Sequence, residues 1–172
     1  IGRATKLADA LQAEEKEYTA DVMLGATTPS YDLEHPVDRT YPWEHVTREA
    51  AEEALRSLTG ERLQEPPLFS AKKIEGTRAY ELARAGETTR LRKSLITIYE
   101  MNIEEFDLPR MRIRVRCSKG TYIRSLAREI GEALQSGAHL TSLRRTRSGG
   151  FTLENAWDLE EFLKKLQNIE TK

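Results

Sequence analysis

The chain has 172 residues, a formal net charge of -1, 38% hydrophobic and 32% charged residues, and one cysteine. That is enough apolar material for one core of ordinary size. It argues against a disulfide scaffold, and no apolar run approaches membrane-spanning length. The near-zero charge hides an asymmetry. Residues 110 to 147 hold 10 Lys+Arg against 2 Asp+Glu, whereas residues 1 to 66 hold 7 against 14. A concentrated positive block points to a polyanion footprint on one face. The competing reading is a basic surface balanced by the acidic N-terminal third after folding.

In chain order, residues 3 to 13 have short helical character. Glu17 to Leu24 alternates, with Tyr18, Ala20, Val22 and Leu24 on one side, and is expected to be a strand. Residues 25 to 42 are rich in Pro, Asp and Thr and are expected to form a long exposed loop. Thr47 caps a helix to Leu58 that Gly60 ends. Pro66-Pro67 breaks the chain, Phe69 to Ile74 is a short strand, and Glu75-Gly76 a turn. Thr77 is then expected to cap a short helix. Its neighbourhood interleaves Lys72, Lys73 and Arg78 with Phe69 and Tyr80, which suits either nucleic acid or an ordinary hairpin.

Leu95 to Phe106 and Met111 to Ser118 form a hairpin. The second strand sets Arg110, Arg112, Arg114 and Arg116 on one face and Met111, Ile113, Val115 and Cys117 on the other. Same-face arginines repel, and a polyanion across them is the expected reason for the pattern. Gly120 turns the chain into a helix with Ile123, Leu126, Ala127, Ile130 and Leu134 at helical spacing, stopping near Gly137. Its start offers backbone amides to an anion, reinforced by Lys119 and Arg124, with Tyr122 as a stacking surface. An ordinary turn fits equally well. Leu140 to Arg147 is a strand carrying Leu143, Arg144 and Arg145, and Asp158 caps a last helix. The fold class expected is α+β, a mixed, largely antiparallel sheet with flanking helices. His35, His45 and His139 are scattered and the cysteine is alone, so no metal site is expected.

The segments KEYTADVMLG (16 to 25), TTPSYDLE, PPLFSAKKIEGTRAYELARAG (66 to 86), CSKGTYIRSLAREIG (117 to 131) and GAHLTSLRRTRSG (137 to 149), with ATKL near the start, together resemble the TruB-type bacterial tRNA pseudouridine synthases. That resemblance implies isomerisation of the T-loop uridine in tRNA, without cofactor or metal. It implies that Tyr18 stacks on the uracil and serves in proton transfer. It places Tyr122 and Leu143 at the target nucleotide, and pairs Arg124 with the catalytic Asp. Lys72, Lys73, Arg78, Arg112, Arg114, Lys119, Arg144 and Arg145 are the expected RNA contacts. The family's nucleophilic Asp sits in a G-T-L-D-P motif that this sequence does not contain. It is therefore expected upstream, in a chain that begins Ile-Gly-Arg, and residues 1–172 alone are expected to be inactive. None of Asp9, Asp21, Asp32 or Asp38 has a matching context. A single catalytic-domain fragment without a PUA domain, a monomer acting on the tRNA T-arm in the cytoplasm, completes the expectation. The alternative is a non-catalytic RNA-binding module of the same fold. With about five phosphate contacts, log K should fall against log salt with a slope near -3.5 to -4.5, and Arg112→Ala with Arg114→Ala should flatten it.

Overall fold

The computed structural model describes residues 2–7, 15–67, 69, 73–74, 77–78 and 92–170. A 3-10 turn at Gly2–Leu7 precedes β1 (Lys16–Leu24), β2 (Ala26–Thr27), β3 (Arg39–Thr40), α1 (Arg48–Leu58) and β4 (Gly60–Gln64). Then come β5 (Lys73–Ile74), β6 (Thr77–Arg78), β7 (Ser94–Asp107), β8 (Arg110–Cys117), α2 (Ile123–Ala133), β9 (Ala138–Ser148), β10 (Phe151–Thr152) and α3 (Leu159–Glu170). Six strands make one sheet in the order β10-β9-β1-β8-β7-β4. Every pairing among the described residues is antiparallel. The α+β class holds, with a large antiparallel sheet and helices on it.

Period-two alternation decides the layers. Ala20, Val22 and Leu24 of β1, Met111, Ile113, Val115 and Cys117 of β8, and Ile96 and Ile98 of β7 face the core. Onto them pack Ala51, Ala54, Leu55 and Leu58 of α1 and Ile123, Leu126, Ala127 and Ile130 of α2. Thr47 Oγ1 accepts from the Ala50 amide at 3.2 Å, the cap read from the sequence. Asp158 Oδ1 likewise accepts from the Glu160 amide at 2.8 Å ahead of α3.

Two expectations change. Thr77 lies in a strand paired with Ile74, and the helix expected through Tyr80 lies outside the described residues. A hairpin ladder claims its backbone. The long 25–42 loop is pinned by the β2–β3 ribbon, with Ala26 opposite Thr40.

Gly131 marks a close approach of α2 to β9. A Cβ there would stand 2.3 Å from the Ala138 amide nitrogen and 2.5 Å from the Gly137 carbonyl carbon. Alanine normally stabilises a helix over glycine. Here overpacking against backbone should win, and Gly131→Ala is expected to lower the melting temperature by roughly 3–10 °C. Thermal unfolding followed by circular dichroism checks this; an unchanged or raised midpoint contradicts the close approach.

Candidate active site on the helix-bearing face

Arg124 is the second residue of α2, and the start of that helix aims it into the cleft between α2 and the 28–34 loop. Its Nη1 lies 3.0 Å from Asp32 Oδ2, and its Nη2 donates to the Phe69 carbonyl at 2.9 Å. Asp32 is fixed in turn. The Glu34 amide donates to Oδ1 at 3.0 Å, and Thr28 Oγ1 donates to the Asp32 carbonyl at 2.7 Å. Burial acts to raise the Asp32 carboxyl. Hydrogen bonds from Ser30 and the Glu34 amide, and the Arg124 charge, outweigh it and hold the group below its ordinary value. Tyr31, just before it, has φ 64°. A side chain in the left-handed region is strained. The conformation is held by the Leu140 amide donating to the Tyr31 carbonyl at 2.9 Å, with the Arg128 guanidinium 5.1 Å from the ring centroid.

Leu143 and Arg124 share a pocket of about 370 Å³ with Asp32, Leu33, Glu34, Leu140, Thr141 and Ser142. Leu143 is 47% exposed, an open apolar wall. It pairs with Ala20 across β1–β9, and Tyr18 pairs with Arg145 one step along. Directly opposed residues share a face, so Tyr18, Leu143 and Arg145 all lie on the side that carries α2. Tyr18 is half-buried at the edge of the core. Burial pushes its phenol above the usual value, with Cys117 adding to the rise and Arg145 opposing it. At neutral pH it is a proton donor, not a phenolate. Tyr122 is the N-cap of α2, two residues before Arg124. Lys119 stands exposed at the turn, where Gly120 takes φ 80°.

The arginine strip of β8 points the other way. Its apolar partners face the helices, so Arg110, Arg112, Arg114 and Arg116 occupy the opposite face, and Arg144 joins Arg112 there beside Asp21. The two flanking strands give the strip a structural reason besides a polyanion. Arg112 Nε donates to Asp21 Oδ1 at 2.7 Å and its Nη1 to Glu105 Oε1 at 2.6 Å. Arg114 reaches Glu17 at 3.3 Å and Glu100 at 3.5 Å. Arg110 reaches Glu105 at 2.8 Å, and Arg116 lies 3.7 Å from Glu100. The acidic N-terminal third thus supplies β1, and β7 supplies the other flank, interleaving the charges. Lys72 lies outside the described residues. For Lys73 and Arg78 only the backbone pairing is described.

The Asp21 carboxyl sits below its ordinary value, chiefly through the Arg112 hydrogen bond and against the effect of burial. A depressed folded-state pKa stabilises above the unfolded value, and that stability is lost as pH falls through the folded one. Asp21→Asn should therefore lower the urea midpoint at neutral pH and flatten its decline below about pH 4. Equal midpoints for the two proteins at every pH would show that the pair contributes nothing.

Other chemistries fit poorly. Cys117 is fully buried, and burial pushes its thiol up to about 11, far from a thiolate at neutral pH. Among the described residues no cluster of His, Cys, Asp or Glu could hold a metal ion. His45 Nε2 and His139 Nδ1 donate to the Leu134 and Ala26 carbonyls at 2.9 and 3.0 Å. No helix among the described residues is long and apolar enough to cross a membrane. The sequence reading missed Asp32, whose carboxylate meets Arg124 across 92 residues. The signal lay in the TTPSYDLE segment, read there only as part of a family pattern. At the start of α2 the Tyr122 amide donates to Gln64 Oε1 at 2.8 Å.

Residues 1–123 match the family described as TruB family pseudouridylate synthase (N terminal domain), and residues 124–172 match the tRNA pseudouridylate synthase B C-terminal domain. The tRNA pseudouridine synthase B of Bacteroides fragilis is 56% identical over 161 residues, covering 94% of this chain and 69% of that protein. That of Flavobacterium johnsoniae is 48% identical, covering 96% and 72%. Among solved structures, a chain of a Cbf5-Nop10-Gar1 complex superposes with a TM-score of 0.68 at 30% identity, covering 94% of this chain and 39% of that one. A chain of an H/ACA RNP bound to a substrate RNA containing 2'-deoxyuridine gives 0.64 at 26% identity, covering 94% and 37%. With the first family match spanning most of its length, the chain belongs to the TruB family of pseudouridylate synthases.

Proposed function

We propose that this chain forms the uridine-binding face of a tRNA pseudouridine synthase, an isomerase that converts uridine to pseudouridine in the T-arm. The reaction breaks the bond from ribose C1' to uracil N1, turns the base, joins C5 to C1', and moves the C5 proton to N1. It therefore needs an extruded base, a carboxylate and a proton carrier. The observation that supports this reading is Arg124, held between the Asp32 carboxylate and the Phe69 carbonyl in a pocket walled by Leu143. A guanidinium fixed at two points keeps donors aimed at an attacking carboxylate, which the family resemblance assigns to the G-T-L-D-P motif. Leu143 gives the base an apolar wall, and Tyr18 gives it a ring to stack on and a phenolic proton. Extrusion costs a few kcal/mol, less from a loop, and stacking returns about 1–3 kcal/mol. T-arm recognition, action as a monomer, a cytoplasmic site and a single catalytic unit over residues 1–172 belong to the same proposal. The unit is supported by β9 lying beside β1 although the two family matches meet at residue 123.

The RNA surface is assigned to the face of Tyr18, with Arg145 and Lys119 as its exposed cations. Arg112 and Arg114, already matched by acids, are withdrawn from it. Arg145→Ala should reduce the salt slope of binding by about 0.7–0.9, one phosphate's worth, while Arg112→Ala leaves it unchanged. Filter binding across salt concentrations checks this, and the reverse pattern would move the RNA to the arginine strip. The function itself is tested by incubating the full-length gene product with a T-arm hairpin and looking for pseudouridine. Product at the T-loop uridine is expected. Tight binding without product favours the non-catalytic RNA-binding module.

A further inference from the structure

Gln64 closes β4, opposite Ser94, and is 2% exposed. Its side-chain amide meets both backbone groups of one residue. Nε2 donates to the Tyr122 carbonyl at 3.1 Å, and the Tyr122 amide donates to Oε1 at 2.8 Å. Tyr122 is extended, with φ -95° and ψ 107°. An extended residue presents its N–H and C=O along one edge, and a carboxamide can meet both as a neighbouring strand would. The segment after Gln64 then runs along the first turn of α2. Ser125 Oγ donates to the Glu65 carbonyl at 2.7 Å, and Arg124 Nη2 to the Phe69 carbonyl at 2.9 Å.

We propose that Gln64 is a positioning residue for catalysis: its amide fixes Tyr122, and through the start of α2 it sets the direction of Arg124. The Tyr122 side chain packs no capping hydrogen bond of its own, so the Gln64 amide supplies the order that the N-cap lacks. The Gln64 side chain also hydrogen-bonds Glu129, whose carboxyl burial pushes up against the charges of Arg62, at 3.3 Å, and Arg128. Small displacements of a catalytic group carry large rate penalties, about 100-fold for an ångström.

This inference rests on the synthase reading, and the test separates the two. Gln64→Leu and Gln64→Glu are made in the full-length protein and assayed on a T-arm hairpin with folded protein quantified by circular dichroism. Gln64→Leu removes both bonds. It is expected to lower kcat about tenfold or more while KM stays within about twofold. Gln64→Glu offers both bonds only when protonated, and burial favours that form, so its kcat should recover towards the parent value between about pH 8 and about pH 6. If the leucine variant does not fold, the glutamate variant decides alone. A kcat within about twofold of the parent in every folded variant, a loss confined to KM, or a glutamate variant whose ratio to the parent is independent of pH would each overturn the proposal. An unmodified protein that makes no pseudouridine would defeat the synthase reading instead.

Discussion

Arg124→Ala in the full-length protein should lower the single-turnover rate of pseudouridine formation by about 10²–10³ while RNA affinity changes only a few-fold. The side chain supplies the cation of the pocket and anchors two groups at once, the Asp32 carboxylate and the Phe69 carbonyl. Removing it leaves Asp32, only 26% exposed, without its countercharge, so the loop from Thr28 to Glu34 loses an anchor as well. Binding is spread over several phosphates, so one lost charge weighs little there. Arg124→Lys should rescue only part of the rate, because an ammonium is a point charge and does not reproduce a two-edged fork. Rapid-quench kinetics with saturating enzyme separate the effects. A variant that binds RNA tenfold more weakly but reacts at the parental rate would make Arg124 a phosphate contact.

Tyr18 should give the second large effect, and two substitutions divide its roles. Tyr18→Phe keeps the ring and removes the hydroxyl. If the phenol carries a proton in the reaction, the rate should fall by about 10²–10⁴ with RNA binding unchanged. Tyr18→Ala removes the stacking surface too, and the further loss should be roughly 5–150-fold, equivalent to about 1–3 kcal/mol per stacked base. Burial raises the phenol, so the hydroxyl is neutral at neutral pH. A phenylalanine variant with parental rate would confine Tyr18 to stacking.

The parts of the molecule legible in the sequence are those whose signal is local. β1 and β8 follow from alternation, β7 from its hairpin with β8, and α1 and α2 from apolar stripes, with Thr47 capping α1. β4 was not legible. GERLQ has no β-branched residue and forms a short edge strand whose place is fixed only by its partner, Ser94 to Ile98. The same limit governs the charges. Arg112 and Asp21 are 91 residues apart and become partners only because β1 lies beside β8. From sequence the arginines look unmatched; in the sheet they are interleaved with acids. Family resemblance named Tyr18, Leu143 and Arg124 as a set, and the fold puts Leu143 and Arg124 in one pocket with Tyr18 on the same side of the sheet. Asp32 was not, because its value lies in a contact across the fold.

The assignment of the RNA to the face carrying Tyr18, Leu143 and α2 is tested most directly by photocrosslinking. A T-arm hairpin with 4-thiouridine at the target position is irradiated with the full-length protein and the adducts are mapped by mass spectrometry. Adducts on β1 and β9, at Tyr18 or Leu143, are the expected result. Adducts on the β8 strip between Arg110 and Arg116 would contradict it.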